Sequence, residues 1–129
     1  PPAPAPVSLV ERPEIELGGT TPTLTLQIQL PEGYKLNAQA RSQVRIVLTG
    51  ATVEGKREIV YDLKQPTLAI PLQLEAERAT LELHLLVYYC QAGQEALCYL
   101  HESHWRQPIL RSEGKPSAIT LNLPIRSSQ

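Results

Sequence analysis

Leu81-Glu82-Leu83-His84-Leu85-Leu86-Val87-Tyr88-Tyr89-Cys90, followed after seven residues by Cys98-Tyr99-Leu100, is the stretch that decides the fold. Leu81, Leu83, Leu85, Val87 and Tyr89 recur with a period of two, which buries one face of an extended strand. Cys90 closes that strand, and Cys98 opens another that runs to about Leu110. Gly93 lies in the connection, which suits a hairpin loop. Opposed residues of an antiparallel pair have Cα atoms roughly 4.5 to 5.5 Å apart, and disulfides span about 4.4 to 6.8 Å, so the two sulfurs can meet. That pairing sets Glu82 opposite Arg106, His84 opposite His104, Tyr88 opposite Leu100, Leu83 opposite Trp105 and Tyr89 opposite Tyr99. Opposite charges and aromatic–aliphatic pairs are favourable cross-strand neighbours. It also sets His101 opposite Val87 and Ser103 opposite Leu85, on the apolar face, and a bulge near the loop would relieve this.

The same period extends outward. Leu24, Leu26, Ile28 and Leu30 alternate with polar residues until Pro31-Glu32-Gly33. Val44, Ile46 and Leu48 alternate up to Gly50, and Ile59 and Tyr61 flank Val60. Leu68, Ile70, Leu72 and Leu74 alternate around Pro71, which lacks a ladder donor and predicts an edge or a bulge. Ile119, Leu121, Leu123 and Ile125 form the last strand, and residues 7–17 a first, irregular one around Pro13. The only helix candidate, Glu75 to Thr80, is too short to matter. Seven or eight strands without crossover helices predict an all-β, antiparallel, immunoglobulin-like β-sandwich, with a closed barrel as the alternative.

Composition sets the outer limits. A chain of 129 residues has room for one core. It has 20 leucines, no Phe and six aromatic residues, so aliphatic packing must fill that core. A net charge of −1 lacks the basic excess of a nucleic-acid binder. The longest apolar run, Leu85 to Cys90, is too short for a membrane span. Residues 1–13 read as a Pro-rich linker, 14–126 as the β-domain and 127–129 as a polar tail. With no Met in the chain, this start predicts a domain cut from a longer protein or a processed product.

Three readings of the cysteine pair stay open. A structural disulfide would contribute roughly 2.5 kcal/mol by closing its short loop. A redox-active pair at a loop tip would be open to an attacking thiolate. Two reduced thiols would fit a reducing cytosol. Zinc is a fourth candidate, with Cys90, Cys98, His101 and His104 as ligands. Three-residue spacing sends the two histidines to opposite faces of a strand, so no metal and no cofactor is assigned. Glu14, Glu16, Glu54, Glu75 and Glu77 read as solvated charges. No nucleophile elbow accompanies any Ser. Gly18-Gly19 is a turn, and Trp105 a packing residue.

Leu30-Pro31-Glu32-Gly33-Tyr34-Lys35-Leu36-Asn37, Ala40-Arg41-Ser42, Val87-Tyr88-Tyr89-Cys90 and Cys98-Tyr99 together resemble one family. It is the C-terminal β-domain of proteins that join a thioredoxin-like domain to an NHL β-propeller, of the plant suppressor-of-quenching type. The cysteine hairpin resembles, more distantly, the N-terminal immunoglobulin-like domain of the thiol:disulfide interchange protein DsbD. The resemblance covers about Pro22 to Ile125. It implies an immunoglobulin-like sandwich, thioredoxin-like and propeller domains upstream as partners, and a role in photoprotection. It favours the thylakoid lumen or another extracytoplasmic compartment over the cytosol. The family's redox pair maps onto Cys90 and Cys98, although the loop between them is longer here.

The expectation is an accessory domain rather than an enzyme on its own. Cys90 and Cys98 would exchange with the parent's thioredoxin-like domain or another redox protein, and Tyr88, Tyr89 and Tyr99 would frame the pair. The alternative is a structural or docking module whose disulfide only stabilises the hairpin.

Overall fold

The computed structural model describes residues 7–93 and 97–125. Residues 1–6 of the expected linker 1–13, the loop residues 94–96 and residues 126–129, with the expected tail 127–129 among them, lie outside that description. Among the described residues the chain is all-β, and no helix forms. The hairpin stretch becomes two strands of 14 residues, β10 (Arg78–Gln91) and β11 (Cys98–Arg111). They pair antiparallel without interruption from Arg78 opposite Leu110 to Cys90 opposite Cys98.

The expected bulge is therefore absent, and two inward polar residues, Ser103 and Gln107, are met by hydrogen bonds. Ser103 Oγ accepts a hydrogen bond from Trp105 Nε1 at 2.8 Å. Gln107 is fully buried, and its Nε2 donates to the carbonyls of Pro13 and Pro108, both at 2.8 Å. Arg12 Nε donates to Gln107 Oε1 at 3.2 Å. A buried amide satisfied at both ends avoids the desolvation penalty that would drive a bulge.

The partners of Gln107 come from the irregular first strand. It forms as two pieces, β1 (Leu9–Glu11) and β2 (Ile15–Leu17), split at Pro13. Leu9–Glu11 thus pairs with β11, although composition groups it with the Pro-rich start. The split also explains how Pro108 fits inside β11. Pro108 stands opposite Thr80, at a site whose N–H would point away from β10. It falls between the last β1 pair, at Arg106, and the first β2 pair, at Ile109, where no ladder donor is needed.

On the other side, β10 pairs with β5 (Ser42–Thr49), and β5 with β7 (Glu58–Leu63). A short β4 (Tyr34–Leu36) continues the line of β5 along the cysteine end of β10. A second sheet has the order β12 (Ala118–Pro124), β3 (Thr23–Gln29), β8 (Thr67–Pro71). Pro71 ends β8 at the edge of this sheet, as its missing donor requires. The chain then leaves it, and β9 (Gln73–Leu74) pairs with β6 (Ala51–Thr52). Gly50, at φ +74°, makes the bend before β6, and a side chain there would strike the Arg78 carbonyl. Its own carbonyl accepts from the Glu75 N–H at 2.9 Å.

The sheets are mixed, which corrects the expectation of purely antiparallel pairing. β1 and β2 run parallel to β11, and β12 runs parallel to β3. Parallel neighbours need a long crossover. Here the intervening strands of the domain supply it, so no helix is required. Neither sheet closes into a barrel. Both contribute an apolar face to one core, with Leu81, Leu83, Val87 and Tyr89 from the large sheet and Leu24, Leu26, Ile70 and Leu123 from the small one. Aliphatic residues dominate it, as the leucine count and the absence of Phe predict. Trp105 joins it as a packing residue, with the Arg12 guanidinium 5.7 Å from its ring centroid.

Candidate functional site

Cys90 and Cys98 form a disulfide with Cα atoms 4.0 Å apart. Gln91 N–H donates to the Leu97 carbonyl at 3.1 Å, so the neighbouring Cys90–Cys98 pair occupies a non-hydrogen-bonded position, where side chains come closest. The two cysteines differ in environment. Cys90 is 8% exposed, and Cys98 is exposed. Leu97 and Leu100, at 61% and 45%, are exposed large apolar side chains beside Cys98.

The motif residues upstream fix the strand that carries Cys90. Gly33, at φ +83°, turns the chain after Pro31-Glu32 into β4. Its carbonyl accepts from Ala92 N–H at 2.8 Å. Tyr34 Oη accepts from Gln91 Nε2 at 3.3 Å. Between β4 and β5 the ladder along β10 breaks, which would orphan the backbone of Tyr88. Asn37 N–H donates to the Tyr88 carbonyl, and Tyr88 N–H donates to Ser42 Oγ, each at 2.9 Å. Asn37 Oδ1 also accepts from Gln39 N–H at 3.0 Å, which shapes the intervening loop.

Of the three tyrosines expected around the pair, Tyr88 shares the cysteines' face of the sheet. Tyr89 and Tyr99 lie on the opposite face, because successive residues of a strand alternate. There they meet Tyr34, with ring centroids 5.5 to 5.9 Å apart. Burial, then Tyr34 and Tyr99, push the Tyr89 hydroxyl above the usual tyrosine range. These rings support the cysteine end of the hairpin from the core side.

Sequence spacing gives no local sign of one neighbour. Lys35 of β4 stands directly opposite Cys90. Lys35, Cys90 and Cys98 therefore form a row across three adjacent strands, on one face. Lys35 and Cys90 also line a shallow cavity of about 460 Å³ beside the loop 37–39. The only sequence signal was the place of Lys35 in the Pro-Glu-Gly-Tyr-Lys run.

Farther along the same face, His84 and His104 stack with ring centroids 3.9 Å apart. Glu82 Oε1 lies 3.5 Å from His104 Nε2 and 3.4 Å from an Arg106 nitrogen. Arg45 pairs with Glu58 at 2.7 Å. Burial, His104 and Arg45 hold the His84 imidazole below the usual histidine range. His101 faces the other side of the sheet, so the four candidate zinc ligands do not converge. Among the described residues no group of three or more His, Cys, Asp or Glu side chains could hold a metal. Nor is any helix among them long and apolar enough to cross a membrane. Comparison with protein-family models and with curated proteins finds no match for this chain.

Proposed function

We propose that this chain is an accessory domain that exchanges its Cys90–Cys98 disulfide with a thioredoxin-like partner. The observation that carries the proposal is the asymmetry of the pair: Cys98 is exposed beside Leu97 and Leu100, while Cys90 is buried. An approaching thiolate reaches the Cys98 sulfur first. In the reducing direction, that thiolate attacks Cys98 Sγ, the Sγ–Sγ bond breaks, and Cys90 leaves as a thiolate. The partner's second thiolate then attacks its own sulfur in the mixed disulfide. The partner leaves oxidised and Cys98 leaves as a thiolate, so two electrons have passed to the pair. The opposite direction runs through the same mixed disulfide.

The fold we assign to the domain is an immunoglobulin-like sandwich, its two sheets facing each other across the shared core. The parent we assign is the thioredoxin-like/NHL-propeller type that the motifs resemble. Its support is that Gly33, Tyr34, Asn37 and Ser42, all from those motifs, bond to residues 88–92 of the cysteine strand.

A purely structural disulfide is the second reading. It is favoured by the position of the bond at the end of a long ladder, where it pins the hairpin. Trapping separates the two. With a thioredoxin-like protein that lacks its resolving cysteine and carries its remaining one as a mixed disulfide with 5-thio-2-nitrobenzoate, Cys90→Ser should form a mixed disulfide through Cys98 and expel thionitrobenzoate, and Cys98→Ser should form far less. No trapped species with Cys90→Ser would overturn the exchange reading.

A further inference from the structure

Opening the disulfide at Cys98 leaves the negative charge on Cys90, so the groups around Cys90 decide how readily it departs. A lower leaving-group pKa makes a faster leaving thiolate, and a nearby ammonium lowers a thiol's pKa. Lys35 is the direct cross-strand partner of Cys90, on the same face. The cavity that holds both is otherwise lined by Leu36, Asn37, Ala38, Gln39, Gln91 and Gly93, none of them charged. On the strands that flank the pair, the next titratable groups on this face are Tyr88 of β10 and, beyond Leu100, Glu102 of β11. No salt bridge among the described residues engages Lys35. Among the described residues, no carboxylate is paired with its charge.

We propose that Lys35 is a positioning residue that holds the Cys90 thiolate when the disulfide opens. The inference rests on the exchange reading for its purpose, but not for its test. The bond that breaks is Cys90 Sγ–Cys98 Sγ, and the attacking group is a thiolate of a dithiol. The electron pair of the broken bond stays on Cys90, beside the Lys35 ammonium. In the reverse direction the same ammonium keeps Cys90 ionised to attack a mixed disulfide at Cys98.

The test uses the whole chain and needs no partner. In a Cys98→Ser background Cys90 is the only thiol, and its ionisation can be followed by thiolate absorbance. Lys35→Gln should raise its midpoint by about half a unit to one unit, the scale of one unit charge near a protein surface. Lys35→Glu should raise it further, and Lys35→Arg should restore it. Added salt should shrink the difference, because the effect is electrostatic. In the disulfide form, Lys35→Gln should slow opening by dithiothreitol about two- to threefold. A merely structural Lys35 would move none of these. An unchanged Cys90 titration in folded Lys35→Gln and Lys35→Glu would overturn the proposal. A shifted titration alongside a failed partner trap would remove the exchange reading and leave Lys35's hold on the thiolate standing.

Discussion

His84 carries the clearest pH dependence of any single residue here. Its imidazole stacks on His104 and faces Arg45 from β5, with Glu82 and Glu58 as the nearest carboxylates. Burial, then His104 and Arg45, hold its folded pKa below its unfolded value of about 6.5. The unfolded chain then binds the extra proton more readily, so stability rises with pH. This contribution is complete above about pH 6.5 and is lost as pH falls through the lower, folded value. The thermal midpoint should therefore drop between neutral and mildly acidic pH, and His84→Asn should flatten that drop. Differential scanning calorimetry across that range checks it. Equal slopes for both proteins would assign the dependence elsewhere. The salt bridges around it, all partly exposed, are worth little by comparison.

At the scale of elements, the long strands were legible because burial of one face imposes a period of two. β3, β5, β10 and β12 all show it, and the hairpin register follows once Cys90 is set opposite Cys98. Two of the shorter elements were not legible. β4 and β6 span three and two residues, too few to display a period. The parallel placement of β1, β2 and β12 depends on partners far away in sequence, which no local pattern encodes. The straight register through Gln107 depends on Arg12 and Pro13, also distant. Half of the candidate site shared this fate: the cysteine pair could be read from one hairpin, but Lys35 reaches it only through β4. The junction of β4 and β5 is accordingly a sensitive point. Ser42→Ala removes the acceptor for the Tyr88 N–H, and a buried donor left unpaired costs about 1–3 kcal/mol. Chemical denaturation should register that loss, with faster hydrogen exchange at residues near 88. An unchanged midpoint would mean that water replaces the hydroxyl.

For the molecule as a whole, the exchange account gives the aliphatic core and the disulfide separate duties. The large and the small sheet both contribute to one buried cluster that runs from Leu17 to Ile125, and Tyr89, with Tyr99 packed against it, carries that cluster up to the cysteine end of the hairpin. The disulfide lies at the end of the longest ladder, half buried and half open, held from below by three tyrosine rings and from the side by β4. The exchange account requires that the bond open without unfolding the domain. The most direct measurement is the reduction potential of the Cys90–Cys98 pair, obtained by equilibrating the protein in thiol–disulfide buffers. The account predicts a potential no lower than that of thioredoxin, about −270 mV, with the reduced protein still folded. A potential below about −300 mV would place the bond among structural disulfides and contradict it.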